Sequence, residues 1–436
     1  MRRNLPCEAV LPSTLPIRNN NERLVIKNIE VVTWMLGGGA STKVTDEDMP
    51  IRASAIRGQL RFWWRAIQAP TSPDPKEAVT KLRENENKLW GSTGGASKVA
   101  IFVEKLNKPQ ELVYNDKDDA LPQYVLFPLR ETKESKKESK TQKYKKVKLV
   151  RGLNFNLVVQ CPKDDLRQVI NTVRLWILFG GLGSRTRRGM GSLFVQDNSA
   201  DFPRLVDKHS IVSFLQSVVP SCDIEPSWPS LIGAQLFLEE DNIRTTDLDA
   251  LNDEWRYFIG HYRDFRQFRI DKYTGQPRRY GISAWPEPKT LCSLCNGSQT
   301  YVTSYPRGSF GLPIIFHFPV NMHSFPKRGE EYDFKYTCST DRYASPVFVK
   351  IIKLAQNNFA KCCLLLKSPF PIGSLAIQQQ KPGEEIDTPL PYHYDPRANP
   401  GIKKAPLNGK SPYDALFEFL GGAKVQTFTL GQGGHS

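Results

Sequence analysis

Four arginines form the first group of residues in this chain whose types and spacing could do chemistry. Arg57, Arg61 and Arg65 stand at i, i+4 and i+8 within Ile56-Arg-Gly-Gln-Leu-Arg-Phe-Trp-Trp-Arg65, and Arg52 comes shortly before them. On a helix that spacing lines the three guanidiniums along one face. Repeated, fixed cations suit a phosphate backbone, which presents charge at regular intervals. The same spacing also serves an ordinary amphipathic helix whose arginines meet carboxylates of their own protein. Gly58, inside the same run, lowers helix propensity by about 1 kcal/mol and would allow a close backbone approach.

A second basic segment, Gly180-Gly-Leu-Gly-Ser-Arg-Thr-Arg-Arg-Gly-Met-Gly191, sets Gly180, Gly181, Gly183, Gly189 and Gly191 among Arg185, Arg187 and Arg188. Glycine lets backbone amides approach an anion or take up positive φ, and the arginines supply charge. The segment follows a helix instead of opening one, which excludes a dinucleotide or Walker fingerprint. A tight turn exposed to water would not need three arginines. Together the two segments predict a surface for a polyanion.

Other candidates are sparser. Asp46 and Asp48 fall in a loop between the first strand and the first helix. A carboxylate there could orient an attacking 2′-hydroxyl or bind a metal, or it could be a solvated acidic turn. Cys292-Ser-Leu-Cys295 has zinc-ligand spacing, with His317, His323 or Cys338 to complete a set. No second pair stands at a standard spacing, so two reduced cysteines in a loop is the plainer expectation. Gly409-Lys410-Ser411 has the end of a P-loop, but Lys404 holds the required upstream Gly position and Pro412 opposes a following helix. No cofactor is expected. From Trp255 to Arg269, aromatic residues interleave with Arg256, Arg263, Arg266 and Arg269. That pattern suits single-stranded RNA, by base stacking and phosphate contact, and equally a buried helix face.

The elements that must position these residues follow from periodicity. Residues 23–36 read as a strand, and 54–68 as a helix with Ile56, Leu60, Trp63, Trp64 and Ile67 on one face. Strands are expected at 98–104, 154–161 and 191–195, and a second amphipathic helix at 164–179 with Asp164 or Asp165 as N-cap. The order β-α-β-β-α-β is the ferredoxin-like arrangement that RNA-recognition modules also use. An insertion at about 105–150 interrupts it, and residues 131–150 carry eight Lys against three Glu. Lys143, Lys145 and Lys146 lie there, in a loop too polar to pack, which is either simply solvated or an arm that tracks RNA.

Residues 201–230 read as a connector. A second module is expected over 231–436, with strands at 231–239, 311–318, 347–353 and 362–366, a helix at 248–270, and mostly loop over 380–412. The fold class is therefore α+β, with two ferredoxin-like modules.

Composition bounds the partners. The 436 residues carry 60 Lys and Arg against 45 Asp and Glu, a formal charge of +15, which favours a polyanionic partner. No run approaches the roughly 20 apolar residues of a membrane span, so no membrane is expected. Eight irregularly spaced cysteines suit reduced thiols, and the start of the chain lacks the apolar stretch of a signal peptide, so the expected compartment is the cytoplasm.

Ile56 to Arg65 and Phe179 to Ser192 resemble the two hallmark motifs of the RAMP proteins of CRISPR systems, and among these the first-subunit family of the type III-B (Cmr) effector complex. Leu89-Trp-Gly-Ser92, Trp285-Pro-Glu287, Ser309-Phe-Gly-Leu-Pro313 and Arg342-Tyr-Ala-Ser-Pro346 extend the resemblance into both halves of the chain. The resemblance implies two ferredoxin-like modules in a non-catalytic RNA-binding subunit for antiviral defence. It would hold the 3′ region of a guide RNA together with target single-stranded RNA, beside a neighbouring RAMP subunit. In that family, target cleavage belongs to a different subunit, through an Asp in the first strand–helix loop. Asp46 and Asp48 fall in the corresponding loop, so the alternative is a metal-dependent endoribonuclease.

Overall fold

The computed structural model describes residues 21–37, 45–46, 50–114, 121–127, 147–242, 247–295, 305–318, 332–338, 340, 342–355, 357–371, 375–381, 384–389, 395–398, 401–421 and 427–430. In the first half, β1 (Asn21–Val31) is followed by α1 (Ala53–Ala66), α2 (Pro75–Trp90) and β2 (Ala100–Lys105). A hairpin of β3 (Gln110–Val113) and β4 (Lys148–Arg151), with the short α3 (Gln123–Leu126) between its strands, comes next. Then come β5 (Asn154–Pro162), α4 (Leu166–Phe179) and β6 (Leu193–Val195). The antiparallel sheet order β2-β5-β1-β6 is that of a ferredoxin-like fold with β3–β4 inserted.

Local chemistry accounts for these elements. β5 alternates buried and half-buried residues along its length, the period of a strand covered on one face. The apolar face of α1 buries Ile56, Leu60, Trp63 and Trp64. α2, which the pattern of apolar residues did not reveal, has the Asp74 carboxylate accepting from Lys76 N at 2.8 Å, Pro75 in its first turn and Gly91 at φ 81° past its end. The expected cap of α4 takes another form. A 3-10 turn over Lys163–Asp165 precedes the helix, and the Asp165 carboxylate accepts from Gln168 Nε2 instead of capping.

After α5 (Lys208–Val218), the second half repeats the plan. β7 (Ser230–Asn242), α6 (Leu248–Arg266), β12 (Val347–Lys353), β13 (Asn358–Lys367), α8 (Pro412–Gly421) and β16 (Thr427–Thr429) give the sheet order β12-β13-β7-β16. It is the same ferredoxin-like order. Between α6 and β12 the chain inserts β8 (Arg269–Ile270), β9 (Ile282–Ser283), α7 (Pro286–Cys295), β10 (Ile314–Phe318) and β11 (Tyr332–Cys338). β14 (Leu375–Lys381) and β15 (Glu384–Pro389) are inserted before α8.

Three expectations meet a different structure. The strand expected at 311–318 does not join the second ferredoxin-like sheet; it is β10 of a third sheet, β10-β11-β14-β15, assembled from both insertions. Within 380–412, expected as mostly loop, lies β15. Pro412, expected to oppose a helix, is instead the first residue of α8, where its missing N–H costs nothing.

The two ferredoxin-like sheets share their cores. Trp63 of α1 packs 5.8 Å from Phe179 of α4 and 5.4 Å from Phe348 of β12, ring centre to ring centre. Val32, Trp34, Met190 and Phe194 are buried in one cluster with Phe237, Trp255 and Phe258 from the second half. Apolar burial thus runs continuously across the module boundary.

Candidate nucleic-acid interface

The α1 arginines are held from α2 and the turn behind it. Arg57 donates to Ser97 Oγ at 2.6 Å, and burial, aided by the charge of Arg61, lowers its basicity. Arg61 donates to Glu86 Oε1 at 2.6 Å and to the Gly91 carbonyl at 3.1 Å. Arg65 reaches the same Glu86 oxygen at 2.5 Å. The Glu86 side chain is only 6% exposed, whereas Arg61 and Arg65 keep about a third of theirs in contact with water. One buried carboxylate therefore orients two guanidiniums without neutralising both. Arg52, 45% exposed, has Asp46 at 3.9 Å.

The glycine loop is folded against the chain that leaves β1. Ser184 N donates to Leu36 O at 2.8 Å, and Gly191 N to Trp34 O at 3.0 Å. Gly183 (φ 77°) and Gly191 (φ 61°) are obligatory, because a Cβ would lie 2.2 Å from Leu36 O and 2.0 Å from Leu182 O respectively. Gly180 matters for a different reason: a Cβ there would come within 2.8 Å of the indole nitrogen of Trp63. The two basic segments therefore touch, Trp63 of α1 against Gly180 of the loop.

Three loop arginines diverge. Arg185, left-handed at φ 61°, lies at the exposed apex, donates from Nε to Val125 O at 2.9 Å and stands 5.3 Å from the Phe127 ring. Arg187 donates to Ser345 O at 2.7 Å, and burial together with the charge of Arg188 pulls it down to about 10. Arg188 donates to Val347 O at 2.6 Å and to Ser345 Oγ at 3.0 Å. Trp255 Nε1 donates in return to Arg188 O at 2.8 Å. Arg187 and Arg188 thus fasten the loop to the approach to β12.

Residues 28–194, which span α1 and the glycine loop, match the family model of the RAMP superfamily. The first module is thus similar to the RAMP superfamily over that stretch. The Pyrococcus furiosus protein described as CRISPR system Cmr subunit Cmr1-1 is 30% identical over 160 residues, covering 36% of this chain and 44% of that protein. The match therefore spans less than half the length of that curated relative. The crystal structure of apo Cmr1 from Pyrococcus furiosus aligns with a TM-score of 0.51 at 14% identity, over 93% of this chain and 98% of that one. At that identity the likeness concerns the fold. A chain from the cryo-EM structure of the type III-B Cmr-beta complex bound to cognate target RNA aligns with a TM-score of 0.44 at 13% identity, over 79% of this chain and 94% of that one.

Asp46 lies 3.9 Å from Arg52, with its side chain 37% exposed. Asp48, Lys143, Lys145 and Lys146 lie outside the described residues. Cys292 and Cys295 sit in helix α7, not in a loop. Among the described residues, no three His, Cys, Asp or Glu side chains converge to hold a metal ion. Of the aromatics read from Trp255 to Arg269, Trp255, Phe258, Tyr262 and Phe265 are fully buried in core, and Tyr257 is exposed.

One residue gave no signal in the sequence. Lys350 of β12 is buried and donates from Nζ to Gly180 O at 2.8 Å. Burial pulls its pKa down to about 7. Nearby, Lys353 Nζ meets Glu30 at 3.0 Å, both side chains being about 10% exposed. A lysine in an apolar strand is legible only once the strand's two faces are known to be covered.

Proposed function

We propose that this chain is a non-catalytic, RNA-binding subunit of a type III-B CRISPR RNA-guided effector complex. It holds the 3′ region of the guide RNA and the target single-stranded RNA, and it contacts a neighbouring RAMP subunit. The observation that carries this is the packing of α1 on the glycine loop through its buried Trp63 against Gly180, inside the segment that matches the RAMP model. Four guanidiniums, Arg52, Arg57, Arg61 and Arg65, face the two carboxylates they reach, Asp46 and Glu86, so the row keeps an excess of positive charge. In the glycine loop, the apex from Gly183 to Arg185 is exposed. Phosphates are held by this row and this apex, while Arg187 and Arg188 keep the loop in place from behind. The relative named as a Cmr subunit supports the assignment to that complex.

An endoribonuclease built on Asp46 and Asp48 draws less support. The charge of Arg52 at 3.9 Å disfavours a divalent cation on Asp46. The test is purification of the chain from its host under mild conditions. We expect a stoichiometric small RNA with a repeat-derived 5′ tag and other RAMP subunits to accompany it. A chain that purifies alone, or one that cleaves RNA and loses this in Asp46→Ala or Asp48→Ala, contradicts the assignment.

A further inference from the structure

A second surface lies where helix α6 ends and the β8–β9 hairpin begins. The hairpin backbone is closed by its own bonds: Arg269 pairs with Ser283, Ile270 with Ile282, and Asp271 N donates to Gln276 O at 2.8 Å. The Asp271 carboxylate accepts from Tyr273 N at 2.9 Å and Thr274 N at 3.0 Å, and it pairs with Arg278. Gly281 allows a tight return, since a Cβ there would lie 2.0 Å from Ile270 O. The loop is thus well tied, yet it leaves Tyr273 and Tyr280 91% and 83% exposed. Each has a cation beside it, Lys272 at 6.0 Å from the Tyr273 ring centre and Arg279 at 5.4 Å from that of Tyr280.

Behind the hairpin opens a cleft of about 850 Å³, lined among others by Arg263, Phe268, Arg269, Arg278, Arg279 and Tyr280. Arg263 is paired with Asp264 at 2.7 Å, and Arg278 with Asp271. Among the described residues, Arg269, Lys272 and Arg279 reach no carboxylate. Flat, exposed rings on a hydrogen-bonded loop, flanked by unneutralised cations, match the faces of unpaired bases and the phosphates between them. An acidic protein would match the charge but leave the ring faces without a purpose.

We infer that the β8–β9 hairpin and its cleft form a second contact for single-stranded RNA, in which bases stack on Tyr273 and Tyr280 while Arg269, Lys272 and Arg279 hold phosphates. This rests on the proposal that the chain binds RNA, and it adds a site that the RAMP motifs do not contain.

The test measures binding of a fluorescent single-stranded RNA to the full chain across a salt series. Tyr273→Leu with Tyr280→Leu keeps apolar bulk and removes the rings, and should weaken binding about tenfold with no change in salt slope. Lys272→Gln with Arg279→Gln should flatten the slope by about two. All four side chains are exposed, so melting temperatures should stay at the wild-type value. Wild-type binding in both double variants, with weakened binding in Arg52→Ala with Arg57→Ala, overturns the hairpin site and leaves the wider proposal standing. Retained RNA binding with loss of a co-purifying acidic protein would make the surface a protein interface and likewise overturn it. A wild-type chain with no affinity for RNA overturns both.

Discussion

Lys350 reaches the carbonyl oxygen of Gly180 at 2.8 Å, and both residues are buried. A strand of the second module thereby satisfies the first carbonyl of the glycine loop in the first module. The loop's shape depends on a residue 170 positions away in sequence. A buried amine at that point stabilises the fold most when it is neutral.

The pH dependence follows in sign. Lys350 titrates near 10.5 in the unfolded chain and near 7 in the fold. Between these values the unfolded chain carries a proton that the folded chain has released, so this residue makes stability rise with pH across that window. Below pH 7 both states are charged and the cost of burial is present in full. Lys350→Met should flatten the rise in melting temperature between pH 7 and 10.5. It should also cost about 1–3 kcal/mol through the unsatisfied Gly180 carbonyl.

Glu86 orients Arg61 and Arg65 together, so its loss is felt twice. Glu86→Gln should destabilise by about 2 kcal/mol in urea unfolding, less than for a fully buried pair because both guanidiniums stay partly hydrated. RNA affinity should fall with it, because the two cations lose their fixed geometry. A neutral effect on both measurements would detach Glu86 from the site.

Arg187 and Arg188 separate fastening from RNA contact. Arg188→Met should cost about 2 kcal/mol of stability, since it removes a charged donor from the carbonyl of the fully buried Val347, and Arg187→Met should cost less, since its acceptor Ser345 is only half-buried. The salt slope of RNA binding should stay at the wild-type value at temperatures where the variants are folded. A drop in slope by about one per substitution would instead mean that these arginines meet phosphate.

The two glycine environments predict opposite outcomes. Gly191→Ala should abolish folded protein, because its Cβ would lie 2.0 Å from Leu182 O at a φ of 61°. A methyl group added at Gly58 would meet nothing within 4 Å, and the residue sits inside α1, so Gly58→Ala should raise stability by about 1 kcal/mol in thermal melts.

The first module was legible because its core positions keep strict periods. Ile56, Leu60, Trp63 and Trp64 announce α1, and the alternation of 154–162 announces β5. What stayed hidden depends on contacts across the chain. The carbonyls that Arg187 and Arg188 grip are 158 and 159 residues away, so the arginines read equally well as phosphate ligands. Glu86 lies on α2, whose apolar residues are too sparse to declare a buried carboxylate. The third sheet joins strands from two insertions, and no local pattern records which strands pair. Tyr273 and Tyr280 could have been flagged by the basic run around them, but their exposure depends on the hairpin's closure.

RNA binding by the α1 arginine row is tested by the salt dependence of binding in the full chain and in Arg52→Ala with Arg57→Ala. These two arginines are chosen because neither carries Glu86, so the fold should survive their loss. Log affinity should fall linearly with log salt for the wild type, and the double variant should bind more weakly with a slope flatter by about two. Equal affinity and equal slope in the two proteins would contradict RNA binding by that row.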